Sequence, residues 1–192
     1  MKTASIVIRT AVAVCFAFVM SSASCELFDK VDDVTVPIEL EHVFHVNETA
    51  NGSNVVYSKY ELLDAADVND DFDKYKSKIK SITITSVQYQ IMNVAQADLI
   101  FTNGKAGFSA LSTTSITGVS SSDLASLGVE NIKAAENQTK NLDYSQAGVD
   151  EFADLLKSDY KVNVWLTGTF AKTPAQFDVK VIVKANLTAD AL

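Results

Sequence analysis

Near its end the chain alternates without a break. Phe177, Val179, Val181, Val183, Ala185 and Leu187 are apolar, and Asp178, Lys180, Lys184 and Asn186 stand among the residues between them. A period of two sends successive side chains to opposite faces, so this stretch specifies a strand with one buried face and does not suit a helix. A strand of that kind needs neighbours, and the rest of the sequence supplies them. Val34, Val36, Ile38, Leu40, His42, Phe44 and Val46 occupy the even positions of a first strand. Pro37 lacks a ladder donor and places that strand at a sheet edge. Val162, Val164 and Leu166 alternate before Gly168, and Thr173-Pro174-Ala175 marks the turn before the final strand.

Shorter signals fill the middle. Asn51-Gly52 predicts a turn, with Val55 to Tyr60 returning as a strand. Ile82 and Ile84 begin a strand that continues through Val87, Tyr89 and Ile91, and its change of parity predicts a bulge. Leu99 to Thr102, Asn103-Gly104 and Lys105 to Ala110 read as a tight hairpin. Two helices interrupt the strands. Asn69 caps a helix over 70–78 that carries Phe72, Tyr75 and Ile79, and Ser145 caps one over 146–157 that carries Val149, Phe152, Ala153 and Leu156. The Ser-, Thr- and Asn-rich stretch 111–143 has no assignable period. Many short strands, two short helices and no strand–helix alternation predict a mainly β fold, an antiparallel β-sandwich.

Hydrophobic residues make up 47% of the chain and charged residues 21%, which is the composition of a folded domain. Two prolines and seven glycines leave no linker to divide it. The net charge of −8 disfavours binding to nucleic acid, whose backbone carries the same sign.

The first residues have a different grammar. Lys2 and Arg9 give a positive start, Ala11 to Met20 is an apolar run, and Ser21-Ser22-Ala23-Ser24 precedes Cys25. The run is too short to span a bilayer comfortably, and the order of features is that of a signal peptide. The other cysteine, Cys15, lies inside this leader, so Cys25 is the lone thiol of the remainder and has no disulfide partner. The segment resembles a bacterial lipobox, with Ser22 where Leu, Val or Ile is usual. That resemblance implies a leader over 1–24, a lipid on Cys25 and attachment to a membrane, most simply the outer membrane of a Gram-negative cell. Residues 25–33 then form a short acidic tether, and 34–192 form a single domain. In leader and predicted architecture the chain resembles the β-rich envelope lipoproteins of Gram-negative bacteria.

Chemistry-bearing groups are sparse. Asp67, Asn69, Asp71 and Asp73 fall at positions one, three, five and seven of a calcium-loop pattern, the spacing that gathers oxygen ligands around a hard cation. Phe72 replaces the loop glycine, however, and Lys78 stands where the bidentate Glu belongs. The same residues also read as a capped helix start followed by Lys74, Lys76 and Lys78. His42 and His45 lie three apart on a strand, hence on opposite faces, and cannot jointly chelate one metal. Trp165 falls at an odd position beside Asn163 and Thr167. It reads either as an outward ring for stacking a ligand or as a ring covered by a helix or loop. No nucleophile elbow, phosphate loop or dinucleotide fingerprint occurs. The expectation is a lipid-anchored, non-enzymatic envelope protein with a structural, adhesive or binding role and no cofactor. Two variants of that expectation are a small-ligand or glycan binder and a module stabilised by calcium. The sequence does not specify the protein or glycan partner.

Overall fold

The computed structural model describes residues 33–190, and Thr35–Ala189 forms the compact unit treated below. The leader, Cys25 and most of the tether lie outside the described residues.

Two very long strands frame the domain: β1 (Asp33–Asp64) near its start and β6 (Lys161–Asp190) at its end. They pair with each other, and side-chain contacts trace the pairing along nearly their whole length. Thr35 meets Thr188 at 3.1 Å, Glu41 meets Lys180 at 2.8 Å and His45 meets Asp178 at 2.8 Å. Further on, Thr173 donates its hydroxyl to Ala50 O, Thr167 donates to Tyr57 O, and Asp64 pairs with Lys161 at 2.6 Å. One strand's numbers rise as the other's fall, so the ribbon is antiparallel throughout.

The ribbon folds over on itself. His42 in the first half of β1 reaches Glu61 in the second at 3.0 Å, and Glu48 reaches Lys59 at 3.1 Å. Asn54, in the left-handed region, lies at the bend of β1, and the cis Thr173–Pro174 bond at that of β6. The predicted Thr173-Pro174-Ala175 turn is therefore the corner at which one continuous strand changes sheet. Buried positions switch from even (Ile38, Leu40, Phe44, Val46) to odd (Tyr57, Leu63) across the bend of β1. That switch is what a core lying between the two folded halves requires.

Each half then gathers partners. The second half of β6 pairs with β2 (Ile79–Met92), which pairs with β5 (Thr139–Asn141). The first half of β6 pairs with β3 (Phe101–Ser109), which pairs with β4 (Leu124–Ser126). All of these pairings are antiparallel. The result is a β-sandwich of two four-stranded layers joined through the shared ribbon, the double-sheet jelly-roll arrangement. Phe177 of one layer meets Phe170 and Phe101 of the other at ring distances of 6.0 and 6.3 Å. A void of only about 10 Å³ remains beneath Leu40, Phe108, Val164 and Val181.

The bulge expected in β2 occurs between Ile84 and Ser86. The expected hairpin at Asn103-Gly104 does not. Asn103 takes a φ of 53° inside a single strand, and the register shifts between Thr102 and Lys105. A left-handed residue serves a bulge as well as a turn, and here β6 pairs on both sides of it.

Asn69 caps the short α2 (Asp70–Tyr75) by accepting from Phe72 N at 2.8 Å, and α1 (Ala65–Val68) precedes it. Ser145 caps α3 (Gln146–Asp159) by accepting from Gly148 N. β4 and β5 have three residues each and leave the side of the sandwich open. α3 closes it with Phe152 and Leu156, and Phe152 stacks on Phe108 at 4.2 Å and 14°. A methyl group on Gly148 would lie 2.2 Å from Ser122 O, so the helix sits as close as it does only because that residue is glycine. Phe152→Ala should remove about 3–5 kcal/mol of stability, measured by urea unfolding, because the cavity opens where no strand can close it.

Candidate functional site

The sequence-predicted candidates are placed apart from one another. Asp67, Asp71 and Asp73 are exposed on the α1–α2 segment. The Asn69 oxygen is taken by Phe72 N, its amide donates to Glu39 O at 3.2 Å, and Asp73 binds Lys76 at 2.6 Å. These residues behave as caps and surface pairs, and no group of three or more His, Cys, Asp or Glu side chains among the described residues is arranged to hold a metal. His42 lies at the inner rim of the ribbon, edge-on to Phe44 at 5.0 Å and bonded to Glu61. His45 points outward to Asp178, which also accepts from Asn93 at 2.6 Å. The opposite facing of the two histidines is as expected.

Of the two readings of Trp165, the covered ring holds and the outward stacking ring does not. Trp165 is 2% exposed, with Nε1 donating to Ser109 Oγ at 2.8 Å and its ring 4.7 Å from Tyr60. Tyr60 of β1 lies against the ring, and the chain that follows Ser109 is held beside it. Asn163, beside Trp165 on β6, donates to Ala110 O, Leu111 O and Thr113 O and pins the chain after β3. Residues 162–166 are consequently buried on both faces.

A concavity lies at the sandwich corner, where β6 changes sheet. It is an open groove of about 580 Å³ lined by Leu99, Ile100, Ala171 and Pro174, with Gln96, Asp98, Asn131 and Lys172 contributing polar groups. Gln96 Oε1 accepts from Gln176 N and Asn131 Oδ1 accepts from Ala134 N. Each carboxamide is therefore oriented and keeps its NH₂ for another partner. One carboxylate and one ammonium complete the lining. This set can bind a neutral polar molecule through both donors and acceptors, over an apolar floor. Gln96 and Asp98, Asn131, and Lys172 come from three separated stretches of sequence with no motif, and Asn131 lies in the unassigned 111–143 stretch, where only short β4, β5 and single turns form. No residue pattern could have gathered them without the fold.

Titration of the core follows from burial. Desolvation pushes the Tyr89 hydroxyl, which donates to Leu127 O, up to about 12. Burial first, then Glu61 and Glu48, push Tyr57 to about 12. The Lys161 ammonium, bonded to Asp64, holds that carboxyl below its usual range.

No protein-family model and no curated protein matches the sequence. Among solved structures the chain is similar to a decameric BFDV capsid protein, at 8% identity over 81% of this chain and 99% of that one, with a TM-score of 0.40. It is also similar to Desmodium yellow mottle tymovirus, at 8% identity over 83% and 90%, with a TM-score of 0.37. Likeness of this order carries no argument about activity. The sandwich described above stands on its own strand pairing.

Two outcomes follow for measurement. Trp165 is the sole tryptophan, so its fluorescence should resist acrylamide quenching, and Tyr60→Ala should raise the quenching constant severalfold by uncovering the ring. Tyr57 and Tyr89 keep their protons in the fold to about pH 12, while the unfolded chain loses them near pH 10. Their contribution to stability is thus complete below pH 10 and is lost as the pH rises from 10 to 12. Urea midpoints measured across that range should fall, and should fall less in Tyr57→Phe.

Proposed function

We propose that this chain is a non-enzymatic binding protein of the cell envelope, held to a membrane by lipid on Cys25, with its ligand site in the corner groove. The observation that carries the binding role is the groove itself: two oriented carboxamides, one carboxylate and one ammonium surround an apolar floor of Leu99, Ile100 and Pro174. Mixed donors and acceptors with balanced charge suit hydroxyl-rich neutral ligands, and a glycan is the class we favour. The membrane attachment is supported by the leader grammar and by the place of the lone thiol at its end. Two or more acyl chains give stable anchoring where one would be marginal. Few residues separate Cys25 from β1, and at about 3.5 Å per extended residue the tether keeps the domain close to the bilayer.

Two experiments test the two parts separately. Cys25→Ser should move the protein from the membrane fraction to the soluble fraction, and unchanged membrane association would reject the anchor. Screening the purified chain against neutral oligosaccharides should identify binders whose affinity falls at least tenfold in Asn131→Ala and in Lys172→Ala, with unfolding midpoints unchanged. Binding indifferent to both substitutions would remove the groove from the proposal. Hydrolysis of a bound glycan, abolished by Asp98→Asn, would make the protein an enzyme instead.

A further inference from the structure

The two halves of β1 are both outer strands, and their outward faces differ. Along the first half the outward positions carry Pro37, Glu39 and Glu41, with Glu39 and Glu41 paired to Lys184 and Lys180 of the neighbouring strand. Proline and charge are what blunt a sheet edge against further pairing. Along the second half the outward positions carry Val56, Ser58, Tyr60 and Leu62. Val56 is 74% exposed, Leu62 51% and Tyr60 40%. Among the described residues this half pairs with β6 alone, so its far side presents a row of backbone donors and acceptors next to an apolar stripe. Its charges at 59–61 are Lys59 and Glu61, one of each sign, and both are engaged, Lys59 with Glu48 at 3.1 Å and Glu61 with His42 at 3.0 Å.

We propose that this edge pairs with the same edge of a second copy of the chain, antiparallel about a two-fold axis at Tyr60. Residues directly opposed in an antiparallel pair share a face, so with the sheets continuous the axis must pass through a residue. An axis at Lys59 sets lysine against lysine, and one at Glu61 sets glutamate against glutamate. An axis at Ser58 pairs no charges. An axis at Tyr60 sets Lys59 of each copy against Glu61 of the other, twice, while Tyr60 meets Tyr60 and Leu62 meets Ser58 on the apolar face. Opposite charges directly across a ladder stabilise it, and like charges oppose it. Glu61 already accepts from His42 at 3.0 Å, so the pairing joins existing networks and leaves no charge isolated. The joined sheets would form one continuous eight-stranded layer, with both apolar stripes on the same face.

The test uses the full chain with Cys15 and Cys25 replaced by serine, so that an introduced thiol is the sole one. An axis at Tyr60 places the two Cα atoms of residue 60 about 4.5–5.5 Å apart, within disulfide reach, and those of residue 58 about 13 Å apart. Under mild oxidation Tyr60→Cys should give at least tenfold more covalent dimer than Ser58→Cys or Leu62→Cys alone. Mixed Ser58→Cys and Leu62→Cys chains should cross-link to each other. In sedimentation the cysteine-free chain should be a dimer, and Leu62→Lys should be a monomer with an unchanged circular dichroism spectrum. A cysteine-free chain that stays monomeric, or cross-linking strongest at another position, would overturn the proposal. So would a monomer that co-sediments with phosphatidylcholine vesicles and loses that binding in Leu62→Lys, an outcome that would assign the stripe to a lipid surface.

Discussion

The pairing of β1 with β6 is the interaction on which everything else in this domain rests. Each strand contributes half its length to one layer and half to the other, so the two sheets are joined through the backbone ladder as well as through the core between them. The ribbon creates the corner, and the corner creates the groove, because Ala171, Lys172, Thr173 and Pro174 belong to the segment that turns from one layer into the other. It also fixes which strands are outer strands. Among the described residues β1 has a partner on one side only, and both of its halves therefore face the question of what lies on the other.

The short β4 and β5 strands bear on a different part of the architecture. Three residues each cannot cover the side of a sandwich whose long strands run to thirty. α3 supplies the missing wall, and it does so with aromatic stacking between Phe152 and Phe108 and with a glycine that lets it approach Ser122. The buried polar atoms around it are accommodated: among the described residues no buried side-chain nitrogen or oxygen lacks a partner. Asn163 shows how, since its one amide group reaches three carbonyls of the loop that covers Trp165.

Much of the fold was legible because it is written locally. Alternation at 38–46 and 177–187, the caps Asn69 and Ser145, and the parity slip after Ile84 each express a rule acting within a few residues, and each appears as expected. What was misread or left open depended on distant partners. Asn103-Gly104 has the composition of a turn, but β6 pairs on both sides of it and turns it into a bulge. Trp165 stands on what the alternation marks as a polar face, and Tyr60 together with the return of the chain at 110–113 covers that face. The groove was illegible for the same reason, since the 96–98 stretch, Asn131 and Lys172 are far apart in sequence and meet only at the corner.

The ribbon also dictates when this domain can exist. Thr35 and Thr188, bonded to each other, are 153 residues apart in sequence, so the start of the first strand stays without its partner until residue 188 has been made. Closing such a contact carries a large loop-closure cost, and folds dominated by distant pairings form slowly. No N-terminal portion of the chain can complete either sheet, because each sheet needs its half of β6. Any chain that has to cross a membrane unfolded would gain from that order of events. Topology alone delays closure of both sheets until β6 has followed the other strands.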